Sequence, residues 1–365
     1  MQAETDDITM EDRKSFLHFY IVFSVIAACG LLAVAAVIIL IDPFFHYHAP
    51  LPNYPYVVDD QVDMNPGLAR HMDYDSILLG SSMTVNFDTS WFEDYMGLKT
   101  QKLSYNGAYP KDQSNIMDIV FDAKGDSVKQ VFLGIDELNY SGGVDETKFP
   151  ITEYLYDDNV LNDVSYIFNK TILLDYCMKP LVDRSDASDW NMIYKPWWQP
   201  EHYRKALVLM YYTPADEVPD VTPTQDYIDA IEKNLSVNII PYIEAHPETK
   251  FTVFYPPYSI LYWYDAVRES RLDSIIAKYD YMTRRLLQYD NVEVFFFQNR
   301  EDIICDLNNY ADYTHYSVPV CESIVDSFES GKGRVTEDNL EAELEILREL
   351  ATEYDYEAIW DDWYN

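Results

Sequence analysis

Apolar and polar positions along this chain change period several times, and the changes mark out its elements. Residues 19–41 are apolar without a charged side chain. At about 1.5 Å per residue that run is long enough to cross a bilayer as a helix. From residue 73 onward, short apolar runs take turns with segments of helical spacing. The runs predict strands over 76–79, 102–104 (the weakest), 130–135, 250–255 and 291–297. The spacing predicts helices over 89–95, 110–123, 226–245, 264–287 and 318–328. Such alternation implies a parallel sheet with crossover helices. Residues 140 to about 222 break the rhythm with prolines, many tyrosines, Trp190, Trp197 and Trp198, and read as an insertion. An acidic amphipathic helix is expected over 336–354.

The ends of the apolar run assign an orientation. Arg13 and Lys14 precede it, and no Lys or Arg follows until Arg70, which by the positive-inside tendency leaves the amino terminus cytoplasmic and the bulk outside. A cleaved signal peptide competes with this reading. So does a lipoprotein processing box at Ile26-Ala27-Ala28-Cys29, although the run continues well past Cys29. The expected organisation is a cytoplasmic tail (1–18), an anchor (19–41), an extracytoplasmic tether (42–72) that is non-helical to Tyr56, an α/β domain (73–330) carrying the insertion (about 140–222), and an acidic helix and tail (331–365).

Charge narrows the partners. A formal net charge of -37 argues against nucleic acid, which is bound by cationic side chains. It also disfavours anionic lipid or anionic wall polymer unless divalent cations intervene. Outside the membrane three cysteines remain, so they cannot all pair within one chain. A disulfide between Cys305 and Cys321 would close a loop of about 15 residues and contribute on the order of 3 kcal/mol; buried free thiols are the competing arrangement. His46 and His48 lack a third ligand nearby, and no Cys/His spacing reads as a metal site. No cofactor is called for.

The chemistry concentrates in two places. Gly80-Ser81-Ser82-Met83 follows an apolar strand, which sets a hydroxyl at the carboxyl edge of the expected sheet, where open α/β folds gather ligands. Ser82 is the candidate nucleophile, although Gly-Ser-Ser is also a common helix cap. Far downstream, Asp312-Tyr313-Thr314-His315 offers a histidine to take the serine proton and an aspartate to fix its tautomer.

Taken in order, Gly80-Ser81-Ser82-Met83, Tyr105-Asn106-Gly107-Ala108 and Asp312-Tyr313-Thr314-His315 resemble the motifs of the SGNH/GDSL hydrolase superfamily. The closer resemblance is to its membrane-anchored, outward-facing branch, which includes the teichoic acid D-alanyl transfer proteins (DltD-like) and alginate O-acetylation proteins. It covers about residues 73–140 and 225–328. It implies a flavodoxin-like three-layer sandwich with a Ser82–His315–Asp312 triad, and an oxyanion hole that includes the N–H groups of Ser82 and Gly107. The superfamily usually supplies an asparagine after the third strand; here Asp136 stands at that position, and an ionised carboxylate would repel an oxyanion. The function so implied is a serine esterase or O-acyltransferase modifying a cell-envelope polysaccharide or teichoic-acid-like polymer, served by an acylated carrier or a membrane acyltransferase partner. The alternative is an inactive SGNH-fold binding or scaffold module.

Overall fold

The computed structural model describes residues 10–185, 200–218 and 224–364. Its frame is a six-stranded sheet in the order β2-β1-β3-β4-β5-β6. The strands are β1 (Ser76–Leu79), β2 (Thr100–Lys102), β3 (Gln130–Gly134), β4 (Lys250–Tyr255), β5 (Val292–Phe296) and β6 (Arg334–Val335). All pairings are parallel except β5 with β6. Parallel strands are covered on both faces by their crossover helices, so they carry continuous apolar runs. That is why β1, β3 and β4 were legible as strands.

Several expectations change. The second strand sits two residues earlier than expected, at Thr100–Lys102, in register with Ser76–Leu78. Its polar side chains are buried, and the Lys102 ammonium donates to the carbonyls of Val85 and Phe87 at 2.6 and 2.5 Å. The helix expected over 264–287 is two helices, Ile260–Arg268 and Leu272–Leu286. Ser270, at φ 56°, turns the chain between them. The helix over 226–245 contains a π-helical turn, Leu235–Ile239. The two-residue strand β6 and a last helix, Tyr356–Tyr364, have no clear hydrophobic period in the sequence.

Residues 42–72 are not a free tether: the stretch to Tyr56 is non-helical as expected, but the segment is folded into the domain. They hold a helix, Gln61–His71, and bury Phe45, Met64, Leu68 and Ala69 completely. Pro66 lies inside that helix and cannot donate to Val62, whose carbonyl oxygen instead accepts the Tyr156 hydroxyl at 2.7 Å. Gly67 lets this helix meet the chain above it, since a Cβ there would come within 2.5 Å of the Phe44 and Phe45 carbonyl oxygens. Asp42 is fully buried; its carboxylate accepts the N–H groups of His46, Tyr47 and His48 and the Tyr166 hydroxyl. Asp163 from the insertion takes His46 Nε2 at 3.2 Å and the Tyr47 hydroxyl at 3.0 Å. Proline and aromatic content suggested a tether, but the aromatics are in fact packing.

The amino-terminal helix α1 (Met10–Ile41) is long and apolar enough to cross a membrane, a description a signal sequence also meets. Its last turns are not free: Ile38 is fully buried, and Val34, Val37 and Ile41 pack against the core. Trp190, Trp197 and Trp198 of the insertion lie outside the described residues. The described part of the insertion wraps the end of α1, with Phe44 set edge-on to the Tyr176 ring at 4.9 Å. Cys177, Cys305 and Cys321 are free thiols. The possible Cys305–Cys321 bridge is therefore not formed. Cys305 is half-buried at the end of the helix Glu301–Ile304, whereas Cys321 is fully buried within the helix Val318–Ser330.

Candidate active site

At the carboxyl end of β1 the chain turns sharply. Gly80 has φ 154°, and a Cβ there would lie 2.6 Å from Thr84 Cγ2. Glycine alone admits both that backbone and the close approach. Ser81 then caps a single 3₁₀ turn, Ser82–Thr84, its Oγ accepting the Met83 N–H at 3.2 Å. Ser81, Met83 and Thr84 are buried, while Ser82 remains partly exposed. The turn thus presents one hydroxyl to solvent and holds the rest.

His315 reaches that hydroxyl from the far end of the chain, with Nε2 2.9 Å from Ser82 Oγ. Its Nδ1 lies 2.7 Å from Asp312 Oδ2. The other carboxylate oxygen, Oδ1, accepts the N–H groups of Thr314 and His315, both at 2.8 Å. Asp312 therefore closes its own loop with one oxygen and faces the imidazole with the other. Because an ionised carboxylate only accepts, Nδ1 carries a proton and Nε2 of the neutral ring is left to accept from Ser82. Burial alone would raise the Asp312 pKa. The hydrogen bond and charge of His315 and the two backbone N–H groups outweigh it and hold the carboxyl at about 2.

The loop carrying His315 is pinned by four hydrogen bonds. Ala311 N–H donates to the His315 carbonyl at 3.0 Å and Ser317 N–H to the Asn309 carbonyl at 2.7 Å. The Ser259 hydroxyl donates to the Tyr313 carbonyl at 2.7 Å. The Tyr316 hydroxyl crosses to the Met83 carbonyl at 2.6 Å. The imidazole and Asp312 side chains keep 24% and 35% of their exposure, so the pair is open to a substrate.

The remaining predicted residues border this group. Gly107 follows β2, the neighbour of β1, and its loop is tied to the serine turn where Tyr105 N–H donates to the Gly80 carbonyl at 3.2 Å. Asp136 follows β3, on the other side of β1, and is buried. One of its oxygens accepts the Ser81 hydroxyl and the other the Tyr258 hydroxyl at 2.6 Å. Burial pushes this carboxyl above the usual range, against the pull of the two hydroxyls and His315. The carboxyl group thus holds the cap of the serine turn. Beside it, Glu137 accepts the Tyr262 hydroxyl at 2.7 Å and pairs with Lys278, both charges nearly or fully buried.

Ser81, Tyr258, Tyr316 and Lys102 act on this arrangement but were not singled out by the sequence. Ser81 and Tyr316 are chain neighbours of residues that were. Tyr258 and Lys102 depend on strand order, which no local pattern encodes. Among the described residues no group of acidic, histidine and cysteine side chains is placed to hold a metal ion.

No family model and no curated protein matches the chain. Among solved structures it is similar to one named for a "platelet activating factor from Streptococcus pneumonia", at 12% identity and a TM-score of 0.37, over 78% of this chain and 92% of that one. A likeness that remote assigns no family.

Proposed function

We propose that the chain is a membrane-anchored serine esterase or O-acyltransferase of SGNH type, with its α/β domain outside the membrane and a cell-envelope polysaccharide or teichoic-acid-like polymer as its target. The hydrogen-bonded series Ser82–His315–Asp312 carries the reading. In the first half-reaction His315 Nε2 takes the Ser82 proton as Oγ attacks an acyl carbonyl carbon. The carbonyl π-pair moves to oxygen, which the N–H groups of Ser82 and Gly107 would receive. Collapse of the tetrahedral adduct expels the alcohol, protonated by His315, and leaves an acyl ester on Ser82. A second hydroxyl then gives its proton to His315 and attacks that ester, which restores Ser82. With water as the second hydroxyl the outcome is hydrolysis, and with a sugar or polyol it is transfer. Asp312 stays ionised throughout and stabilises the imidazolium.

Support for the anchor comes from the burial of Ile38 against the rest of the chain, which ties the end of α1 into the fold. Asp136 is the residue that most favours an inactive binding or scaffold module. Yet both its oxygens are engaged by hydroxyls, so its role as a support for the serine turn is compatible with catalysis. The test is release of alcohol from chromogenic short-chain acyl esters by the detergent-solubilised chain, with and without glycerol or a neutral oligosaccharide as acceptor. Turnover by wild type that falls at least a thousandfold in His315→Ala supports the enzyme. Equal rates in the two proteins would sink it.

A further inference from the structure

The described part of the insertion carries an apolar surface that its own fold leaves uncovered. Val160, Leu161 and Val182 are 74%, 83% and 90% exposed, and Val164, Leu174 and Leu181 are exposed beside them. These residues lie on the short helices Val164–Ile167 and Lys179–Val182, on the π-helical turn Ile172–Met178 between them, and on the chain just before. Both Val164–Ile167 and Ile172–Met178 pack directly on α1. Tyr166 from the first donates its hydroxyl to Asp42 at the foot of α1, and Tyr176 from the second meets Phe44. The apolar surface is therefore continuous with the outer end of the candidate span.

The depth of that contact follows from the length of α1. Its apolar face is exposed on every side over residues 16–33; burial against the insertion begins on one side at Val34, while Ala36, Ile39 and Leu40 stay exposed. That exposed face spans roughly 27 Å at the helical rise, whereas the hydrocarbon core is about 30 Å thick. If the face begins at the inner boundary, next to Arg13 and Lys14, the hydrocarbon ends at the level of Val34 to Ile38. This is the level at which the insertion grips the helix. Electrostatic attraction to anionic lipid is unavailable to a chain of net charge -37, so any adhesion there must be apolar. Lys170 and Lys179, exposed on the same stretch, have stems long enough to reach from that depth to the headgroups.

We propose that residues 159–182 lie in the membrane interface, with Leu161, Leu174 and Val182 seated at the boundary of acyl chains and headgroups in the outer leaflet. The segment then acts as a second membrane contact beside α1 and fixes the domain's tilt and height. A cleft of about 410 Å³ lined by Val62, Tyr105, Asn106, Phe149 and Tyr176 separates it from the loop bearing Gly107. A fixed tilt therefore also fixes how that loop faces the bilayer. The inference rests on reading α1 as an uncleaved anchor.

The test uses the full chain in phosphatidylcholine nanodiscs, with Cys29 and Cys305 replaced by alanine and single nitroxide labels at Leu161→Cys, Val182→Cys, Leu32→Cys and Ile346→Cys. Leu32 reports the span; Ile346, exposed on the helix Leu340–Glu353, reports water. Collision with oxygen is compared with collision with a water-soluble nickel chelate. The expected result is an oxygen-to-nickel ratio at 161 and 182 several-fold above that at 346 and approaching that at 32. A lipid-like ratio at 32 with water-like ratios at 161 and 182 overturns the proposal and leaves the anchor standing. A water-like ratio at 32 removes the anchor and the proposal together. Labels at 161 and 182 shielded from both reagents would mean a protein covers them, which also overturns it.

Discussion

The Tyr316 hydroxyl donates to the Met83 carbonyl oxygen over 2.6 Å, so the residue after His315 is bonded to the residue after Ser82. Both groups are buried. The bond fixes the distance between the two loops on which the Ser82–His315 contact depends.

Tyr316→Phe removes that bond and leaves the Met83 carbonyl buried without its donor. The cost in stability should be about 1–3 kcal/mol, read as a lowered denaturation midpoint. If the bond also sets the approach of His315 to Ser82, ester turnover at saturating substrate should fall by about 10–100-fold while the variant remains folded.

Asp312→Asn keeps the shape of the loop but removes the acceptor that fixes the imidazole tautomer, so kcat should fall by about 10³–10⁴. Its effect on stability has a sign. The folded carboxyl is held at about 2, below the value of about 3.9 expected in the unfolded chain. Its ionised form thus stabilises the fold above about pH 4, and that contribution is lost as pH falls towards 2. The stability difference between wild type and Asp312→Asn, measured by urea denaturation, should shrink as pH falls through that acid window.

Lys102 behaves in the opposite direction. Burial lowers its ammonium to about 7, against about 10.4 unfolded. Between those values the unfolded chain binds more protons than the folded one, so this group makes stability rise with pH. Lys102→Met should abolish that rise. The buried thiols of Cys305 and Cys321, pushed up by burial, work against it in the same range. Cys305 is common to both proteins and cancels in the wild-type minus Lys102→Met difference; Cys321, which the Lys102 charge lowers, is replaced by alanine in both, and the difference should then increase from pH 7 to 10.

Behind the site, Glu137 and Lys278 form an ion pair with little or no exposure. Glu137→Gln leaves the Lys278 charge buried and unpaired and should cost about 3–5 kcal/mol. The double variant Glu137→Met with Lys278→Met should recover most of that loss. Chemical denaturation of the three proteins at neutral pH checks it.

The sequence was a good guide wherever structure and chemistry are local. Ser76–Leu79 was bounded correctly because a strand between two parallel neighbours is apolar on both faces. Ser82, Asp312 and His315 stood out because a hydroxyl after a strand and a carboxylate three residues from an imidazole are short-range patterns, and the structure brings all three together. Long-range support was not legible. Nothing near Pro256 and Pro257 announces that Tyr258 will meet Asp136, because that contact exists only once β3 and β4 are neighbours. Residues 42–72 misled for the opposite reason. Their prolines and aromatics read as a membrane-edge tether, while Asp42, Tyr166 and Asp163 bind them into the domain through contacts with the insertion.

The central claim is that Ser82 is a nucleophile activated by His315. A fluorophosphonate probe forms a phosphorus–oxygen bond to such a serine and expels fluoride. Its attachment to the full-length, detergent-solubilised protein can be followed by intact mass. The account predicts one probe per chain, located at Ser82, absent in Ser82→Ala and slowed at least a hundredfold in His315→Ala. A folded wild-type protein that takes up no probe, or labelling that persists in Ser82→Ala, would contradict it.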